Sequence, residues 1–539
     1  MWFTSLLPAL KRSTGRRPAS HRRPAPHRRS FVPRLESLED RTLLSTLTVL
    51  NTLDSGAGSL RYAIGHSRDG DTIVFDEKLS GGTITLTSGD LAIKNSLDIV
   101  GPGANLLAIS GNDTSRVFDI NAGLTVSIAD LTITHGRSAS GGGGILNVGS
   151  SLTLANDVLS YNESDTFGSG GAIYNRNGAS LAVTASTFIG NRAIGSKHGG
   201  LGGGGAIYNL PGSTATVSHS TFIGNQAIGG DSGVFADNFR ASLGGGEGGA
   251  IHNDGRFTIE NSTFSGNQAI GGNGGSGGKG VSFYIVDFGT GGAVFNHPSL
   301  DAVLVVNGCT FSDNEAIGGS GATGGASGQG LVGIASGGAL ANFGAATVTN
   351  STFDHNVARG GNGNSSGGGS AVIGRGAGGA ITNSGVFVAA ALTVSNSTFT
   401  DNQAIGGNGN TGGVQRGPGV GGAIASIVGA MTTLTGSIFD GNQAIGGAGG
   451  VGGNGGNGLG GGIYNDGPST LEVRGSTITD NQASGGAGGA GGSAGSGVGG
   501  GVYFADGGSV CLDLFTSLNI FGNFASTSDD DVFGDWTIC

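Results

Sequence analysis

Residues 204–225 read GGAIYNLPGSTATVSHSTFIGN, and they decide the fold because two hexapeptides in them recur along the chain in an unchanging order. The first, Gly204-Gly-Ala-Ile-Tyr-Asn209, is intact again at 170–175 and varied at 248–253 (GGAIHN), 291–296 (GGAVFN), 337–342 (GGALAN) and 378–383 (GGAITN), with weaker copies starting at 142, 421, 461 and 500. The second, Ser220-Thr-Phe-Ile-Gly-Asn225, puts an aromatic at Phe188, Phe222, Phe264, Phe311, Phe353, Phe399 and Phe439, then Ile478 and Ile520. Three residues after each comes an asparagine: Asn191, Asn225, Asn267, Asn314, Asn356, Asn402, Asn442, Asn481 and Asn523. These anchors are 34 to 47 residues apart, whereas the step from the first motif's apolar residue to the second's stays at 13 to 18. Length variation therefore sits in the glycine-rich joints.

Within a unit, alternations such as Leu392-Thr-Val394 and Leu471-Glu-Val473 have the period of strands, and no helical period appears. Each unit offers roughly three short strands, for example around Ile207–Asn209, Thr216–Val217 and Thr221–Ile223. Strands this short bury Ile, Val and Phe only by stacking on the same strands of the next unit, which is the logic of a β-solenoid. The recurring Asn tolerates a left-handed turn, and its amide bonds to its copies above and below at the strand spacing. An Asn ladder is the expectation.

Composition agrees with that reading. Of 539 residues 116 are glycine and ten are proline, without a glycine at every third position along the chain, which excludes collagen; 36% are apolar, which excludes a simple disordered chain. No apolar run approaches the ~18 residues of a membrane-spanning helix. Residues 1–41 hold 10 of the 26 Lys and Arg and three of the 37 acids, a balance of +7 that leaves -18 for the rest. An acidic body of this kind has no electrostatic footprint for nucleic acid or an anionic membrane.

GGA followed by Ile, Val or Leu, paired with Phe-x-x-Asn, resembles the polymorphic outer-membrane protein repeat, and the whole body is similar to the right-handed parallel β-helix superfamily that also contains pectate lyase. The resemblance covers about residues 142–523 and implies an all-β, right-handed parallel β-helix with long Gly-rich loops. Upstream, Gly58-Ser-Leu-Arg-Tyr-Ala-Ile64, Gly70-Asp-Thr-Ile-Val-Phe75, Leu97-Asp-Ile-Val-Gly-Pro-Gly103 and Leu131-Thr-Ile-Thr134 resemble the opening coils of such proteins, with Ser59–Ser67 as a capping helix. Unlike the polymorphic proteins, the chain has no terminal β-barrel segment before Cys539. Ten units and three or four opening coils stacked ~4.8 Å apart predict a body about 65 Å long.

The implied organisation is a basic, disordered targeting or processing segment at 1–45, a cap and opening coils at 46–140, the repeat helix at 141–523 and a closing segment at 524–539. Residues 11–34 mix Arg with Pro, His and Ser and have no apolar face. Arg28-Arg-Ser-Phe-Val32 is a poor twin-arginine match because charged RLESLEDR follows it. Leu35-Glu-Ser-Leu-Glu-Asp-Arg-Thr-Leu-Leu-Ser45 resembles the LExLExRxLLS element near the start of large secreted or surface proteins of environmental bacteria. It implies a secreted or surface location reached through an atypical signal.

Chemistry is harder to find in these residues. The joints lack the Asp of calcium nonapeptides and the Gly-Lys-Ser/Thr of a phosphate loop, so they are expected to be flexible loops binding no metal or cofactor. Acids of the repeats (Asp313, Asp401, Asp440, Asp480) fall in turns just before the ladder Asn and read as turn caps. His135, His198, His252 and His297 read as isolated, and Asp529-Asp530-Asp531 as solvated. Along the slot Tyr174, His252, Phe295, Ala341, substitution reads as a change of packing and not of proton chemistry. Cys309 stands in a serine slot, whereas Cys511 and Cys539 form a candidate disulfide: if the segment after Asn523 folds back on the last coil, a bridge between them locks the C-terminal end and requires an oxidising compartment. The one loop with convergent charge, Asp231, Asp237 and Arg240, is the candidate catalytic set of an alternative reading, a polysaccharide lyase or glycoside hydrolase. The main reading is a non-catalytic secreted or surface solenoid for adhesion, envelope structure or glycan binding, with extracellular polysaccharide or cell-envelope components as partners.

Overall fold

The computed structural model describes residues 44–234, 241–277, 283–299, 301–325, 329–367 and 370–539. The basic segment, Asp237 and Arg240 lie outside the described residues.

Residues 44–539 wind into a right-handed parallel β-helix. Four long sheets make its wall, and the strand pairs in them are parallel. A fifteen-stranded sheet runs from Thr46–Val49 to Thr537–Ile538; two of thirteen strands run from Gly82–Thr85 to Ile520–Phe521 and from Leu91–Ile93 to Val532–Phe533; one of eleven runs from Arg137–Ser138 to Phe524–Ala525. Fifteen strands at ~4.8 Å give a stack about 70 Å long. A unit holds more strands than its sequence suggests: Gly202–Gly203 precedes Ile207–Asn209, Thr214–Ser218 and Thr221–Ile223, and Gln226–Ile228 follows. The extra pair escapes a pattern search because one carries only glycine and the other a single inward residue, Ala227.

Register equates like with like. Ile207 pairs with Ile173 and Ile251, and Phe222 with Phe188 and Phe264. From Phe188 to Phe439, seven rings stack inside the barrel at centroid separations of 4.6 to 4.9 Å, adding packing energy to plain burial. The GGA glycines are required by geometry. Gly248 has φ +66°, and a Cβ on Gly249 would sit 2.0 Å from the carbonyl oxygen of Gly292 in the next coil.

Two asparagine ladders line the inner corners. From Asn162 to Asn523, each Nδ2 donates to Oδ1 of the next at 2.9 to 3.0 Å. The second ladder, on the last residue of the GGAIYN motif, runs from Asn147 to Asn383 at 2.8 to 2.9 Å. At its C-terminal end the first ladder closes on Asp531, whose Oδ1 accepts from Asn523 Nδ2 at 2.9 Å, while Asp530 accepts from the amide of Ala525 at 2.8 Å. Asp529 and Asp530 are exposed to solvent as the sequence reading has them, and Asp530 and Asp531 in addition cap this end of the stack. At the other end, helix Leu60–His66 buries Leu60, Ala63 and Ile64, with Ser59 capping it by accepting from the Tyr62 amide.

The glycine-rich joints differ most from expectation. They are not independent flexible loops but a second, stacked layer projecting from the barrel. Strands Ala241–Leu243, Phe283–Val286, Gln329–Val332, Ser370–Ile373 and Gln415–Arg416 form a five-stranded sheet within it. Its own core gathers Tyr284, Val286, Val332, Ala371 and Ile373. Further along, the joints at 446–458 and 485–497 interlock by backbone bonds, Gly449 N to Ala487 O, Gly452 N to Ala490 O and Gly455 N to Ser493 O, at 2.8 to 2.9 Å. Composition predicted flexibility; the GGX period within these joints instead puts glycine wherever two backbones touch. Cys511 and Cys539 are bonded, with Cα atoms 5.5 Å apart.

Candidate functional site

Where the projecting layer leaves the barrel, the two surfaces form a re-entrant corner, and the corner is a cleft of about 350 Å³. One wall is the outer face of the five-stranded sheet, with Ile285 and Leu331; the other is the barrel, with Glu247, Phe295 and His297. Phe343 and Phe387 stand at its rim, the latter 46% exposed. The repeat changes in side-chain size beside the hollow. The outward slot of the GGAIYN strand reads Tyr174, Tyr208, His252, Phe295, then small at Ala341, Thr382 and Ala425, then Tyr464 and Tyr503. A row of large side chains loses its bulk for three coils.

Titratable groups converge on the barrel wall. His252 is buried, its Nε2 3.1 Å from Asp254 Oδ1 and its Nδ1 3.4 Å from Glu247 Oε2. From the next coil, His297 brings Nδ1 to 3.0 Å from the same Asp254 oxygen. The Tyr208 ring lies 4.1 Å from the His252 ring, and Phe295 meets His252 edge-on at 4.9 Å. Burial opposes charge on every member, and the neighbours decide which keep it. Burial pushes the Glu247 carboxyl up to about 7. For His252, burial works against the cation, but Asp254 and Glu247 on either side win and raise its pKa. Asp254 is held below the usual carboxylate range, against its own burial, chiefly by His252. Burial and the neighbouring His252 push His297 down to about 4. The neighbours thus favour the charged forms of His252 and Asp254, while burial favours the neutral forms of Glu247 and His297. A proton can be given by Glu247 and taken by His297, both of which face the cleft.

The sequence reading of His252 and His297 as isolated is corrected by this geometry, and so is the reading of the Tyr174-to-Ala341 slot as mere packing. Asp254 lies 43 residues before His297, and only the coil register brings them together. A signal existed in one unit: Glu247, His252 and Asp254 fall within eight residues, at positions where the preceding unit has Gly203, Tyr208 and Leu210. Of the candidate set Asp231, Asp237 and Arg240, only Asp231 is described. It belongs to the projecting layer, where Oδ1 accepts from the Asn273 amide at 2.7 Å, and it does not line the cleft. His355 lies 3.0 Å from Asp354 and 3.9 Å from Asp401, an exposed charged trio that does not line the cleft.

Arg375 is the other charged group in the cleft. In the turn column that reads Phe288, Ile334, Arg375 and Pro418, it is a guanidinium among apolar side chains. Among the described residues it has no side-chain hydrogen bond or ion pair, and its Nε is buried without a partner. Burial lowers its pKa from the usual arginine value, with Tyr464 and Asp466 opposing at longer range.

No family model matches the chain, and no curated protein matches it. Solved structures do. The catalytic unit of a thermostable GH87 alpha-1,3-glucanase from Streptomyces thermodiastaticus is 13% identical, over 91% of this chain and 70% of that one, with a TM-score of 0.36. A mannuronic acid specific polysaccharide family 6 lyase from human gut microbiota is 10% identical, over 81% and 86%, with a TM-score of 0.32. Tailspike protein 3 of bacteriophage CBA120 is 12% identical, over 86% and 58%, with a TM-score of 0.28. At such identities the likeness is one of architecture.

Proposed function

We propose that this protein is a secreted or surface β-helix that binds a glycan in the cleft between the barrel and its projecting layer. The observation that carries the reading is the make-up of that cleft: aromatic edges and faces at Phe295, Phe343 and Phe387 beside unspent polar groups. Pyranose rings present C–H faces that stack on aromatic side chains and hydroxyls that need fixed donors and acceptors, and a cleft built from both suits them. Repeated coils extend the surface along the axis, so that weak contacts add along a polymer. The test is a glycan array probed with the intact chain, followed by titration calorimetry of the hits on wild type and Phe387→Ala. Binding that weakens about tenfold in the variant supports the reading. Equal binding by the variant, or an empty array, overturns it.

A second reading, a polysaccharide lyase or glycoside hydrolase, is favoured by the proton donor and acceptor pair Glu247 and His297. Its signature is turnover of a bound polysaccharide that Glu247→Gln abolishes while binding persists.

A further inference from the structure

The geometry points to Arg375 as the receptor for a carboxylate on the bound saccharide, which makes the glycan an acidic one; this rests on the reading of the cleft as a glycan site. A buried guanidinium is ordinarily matched by a carboxylate of its own protein, because an unpaired charge away from water is costly. Two other arginines follow that rule, while Arg176, whose Nε is also buried without a hydrogen-bond partner, lies over the Tyr174 ring, 5.5 Å from its centroid. Arg116 is ringed by the carbonyls of Gly141 and Gly142, the hydroxyls of Ser138 and Ser140, and Asp90; Arg61 is clasped by Asp54. Arg375 departs from it: half-buried, with apolar Phe288, Ile334 and Pro418 at the neighbouring turn positions, and without a partner among the described residues. The carboxylates beside the cleft face the histidines, Asp254 hydrogen-bonded to His252 at 3.1 Å and Glu247 3.4 Å from the other nitrogen of that ring.

A second, independent observation lies in the same cleft. Ser384 is 1% exposed, and its hydroxyl also lacks a partner. It follows Asn383 in the unit that contributes Arg375, so one coil supplies both unsatisfied groups, a planar cationic fork and a neutral hydroxyl. A carboxylate fits the fork with two parallel hydrogen bonds, and a sugar hydroxyl or ring oxygen suits the serine. The aromatic rim then takes the apolar face of the same residue.

The experiment is calorimetry on the intact chain with matched trisaccharides: glucuronate, galacturonate and mannuronate oligomers, each beside its carboxyl-reduced neutral counterpart, and one sulfated trisaccharide. The acidic member of at least one pair is expected to bind about 10- to 100-fold tighter than its neutral twin. Arg375→Gln should collapse that ratio to about threefold or less, and Arg375→Lys should restore part of it. Circular dichroism and thermal melting of both variants establish that they fold; loss of an uncompensated charge should leave Tm equal or higher. Retained discrimination in Arg375→Gln overturns the assignment. Equal binding of acidic and neutral sugars overturns it too, while leaving the cleft a glycan site. Tighter binding of the sulfated sugar than of every uronate overturns the choice of carboxylate. Binding of none of them overturns this inference and the glycan reading together.

Discussion

Asp157 occupies a column in which the following units carry Ser186, Ser220 and Ser262, each accepting the amide of the preceding coil through Oγ. Its Oδ1 does the same for Leu131 at 2.9 Å, but Oδ2 is buried with no partner, and burial pushes the carboxyl up to about 8. Because the folded state holds this proton more tightly than the unfolded chain, with its ordinary value near 3.8, the contribution of Asp157 to stability is complete below about pH 4 and is lost as pH rises toward 8. Asp157→Ser keeps the bond to Leu131 and removes the titration. Chemical denaturation at pH 5, 7 and 9 is expected to show the variant's advantage growing with pH; an advantage independent of pH would dissociate the two. Asp287, pushed up to about 7 by burial, acts in the same direction. At this scale the sequence was legible where a residue repeats and opaque where it does not. Nine ladder asparagines could be read from spacing alone. Asp157, His252 and Arg375 each break a column, and a break is visible only once the register of the column is known.

Among the elements, the barrel strands could be found from alternation, whereas the projecting layer could not, because its order comes from backbone contacts and leaves little trace in side-chain pattern. A Cβ at Gly489 would lie 1.8 Å from the carbonyl oxygen of Gly450, and one at Gly492 2.0 Å from that of Gly453. These glycines give close approach and not looseness. Gly489→Ala should therefore pry the two joints apart at a cost of about 1 to 3 kcal/mol. Hydrogen exchange read by mass spectrometry is expected to rise at 446–458 and 485–497 and stay constant in Thr470–Arg474. Unchanged exchange in the joints would mean that they are as loose as their composition suggests. The same reasoning explains why the cleft was missed. One wall belongs to a layer whose existence depends on variable joints stacking in register, and the cooperating groups come from different coils.

The whole stack is one-dimensional, each coil touching only its neighbours, so its stability is nearly a sum of junctions and its ends are the weak points. The N-terminal end is sealed by helix Leu60–His66, while the C-terminal end leaves Leu514, Phe515, Leu518 and Phe521 more than half exposed. That end is held by the Asp531 cap and the Cys511–Cys539 bridge. Loop-closure entropy for a separation of 28 residues assigns the bridge about 3.5 kcal/mol. Reduction should fray the closing coil, with exchange rising across 509–539 and the interior protected. A uniform fall in protection along the whole stack would contradict nearest-neighbour behaviour.

That bridge also reroutes mechanical load. A tether attached at Cys539 does not pull on residues 512–538 in turn; tension crosses the sulfur bond and enters the stack at Cys511, on a strand paired with Thr470–Arg474. The closing coil is thereby shunted out of the force path. Rupture under tension would begin at the strand that carries Cys511, where its backbone pairing with Thr470–Val473 must part, so the first force peak reports an interior pairing and not a frayed end.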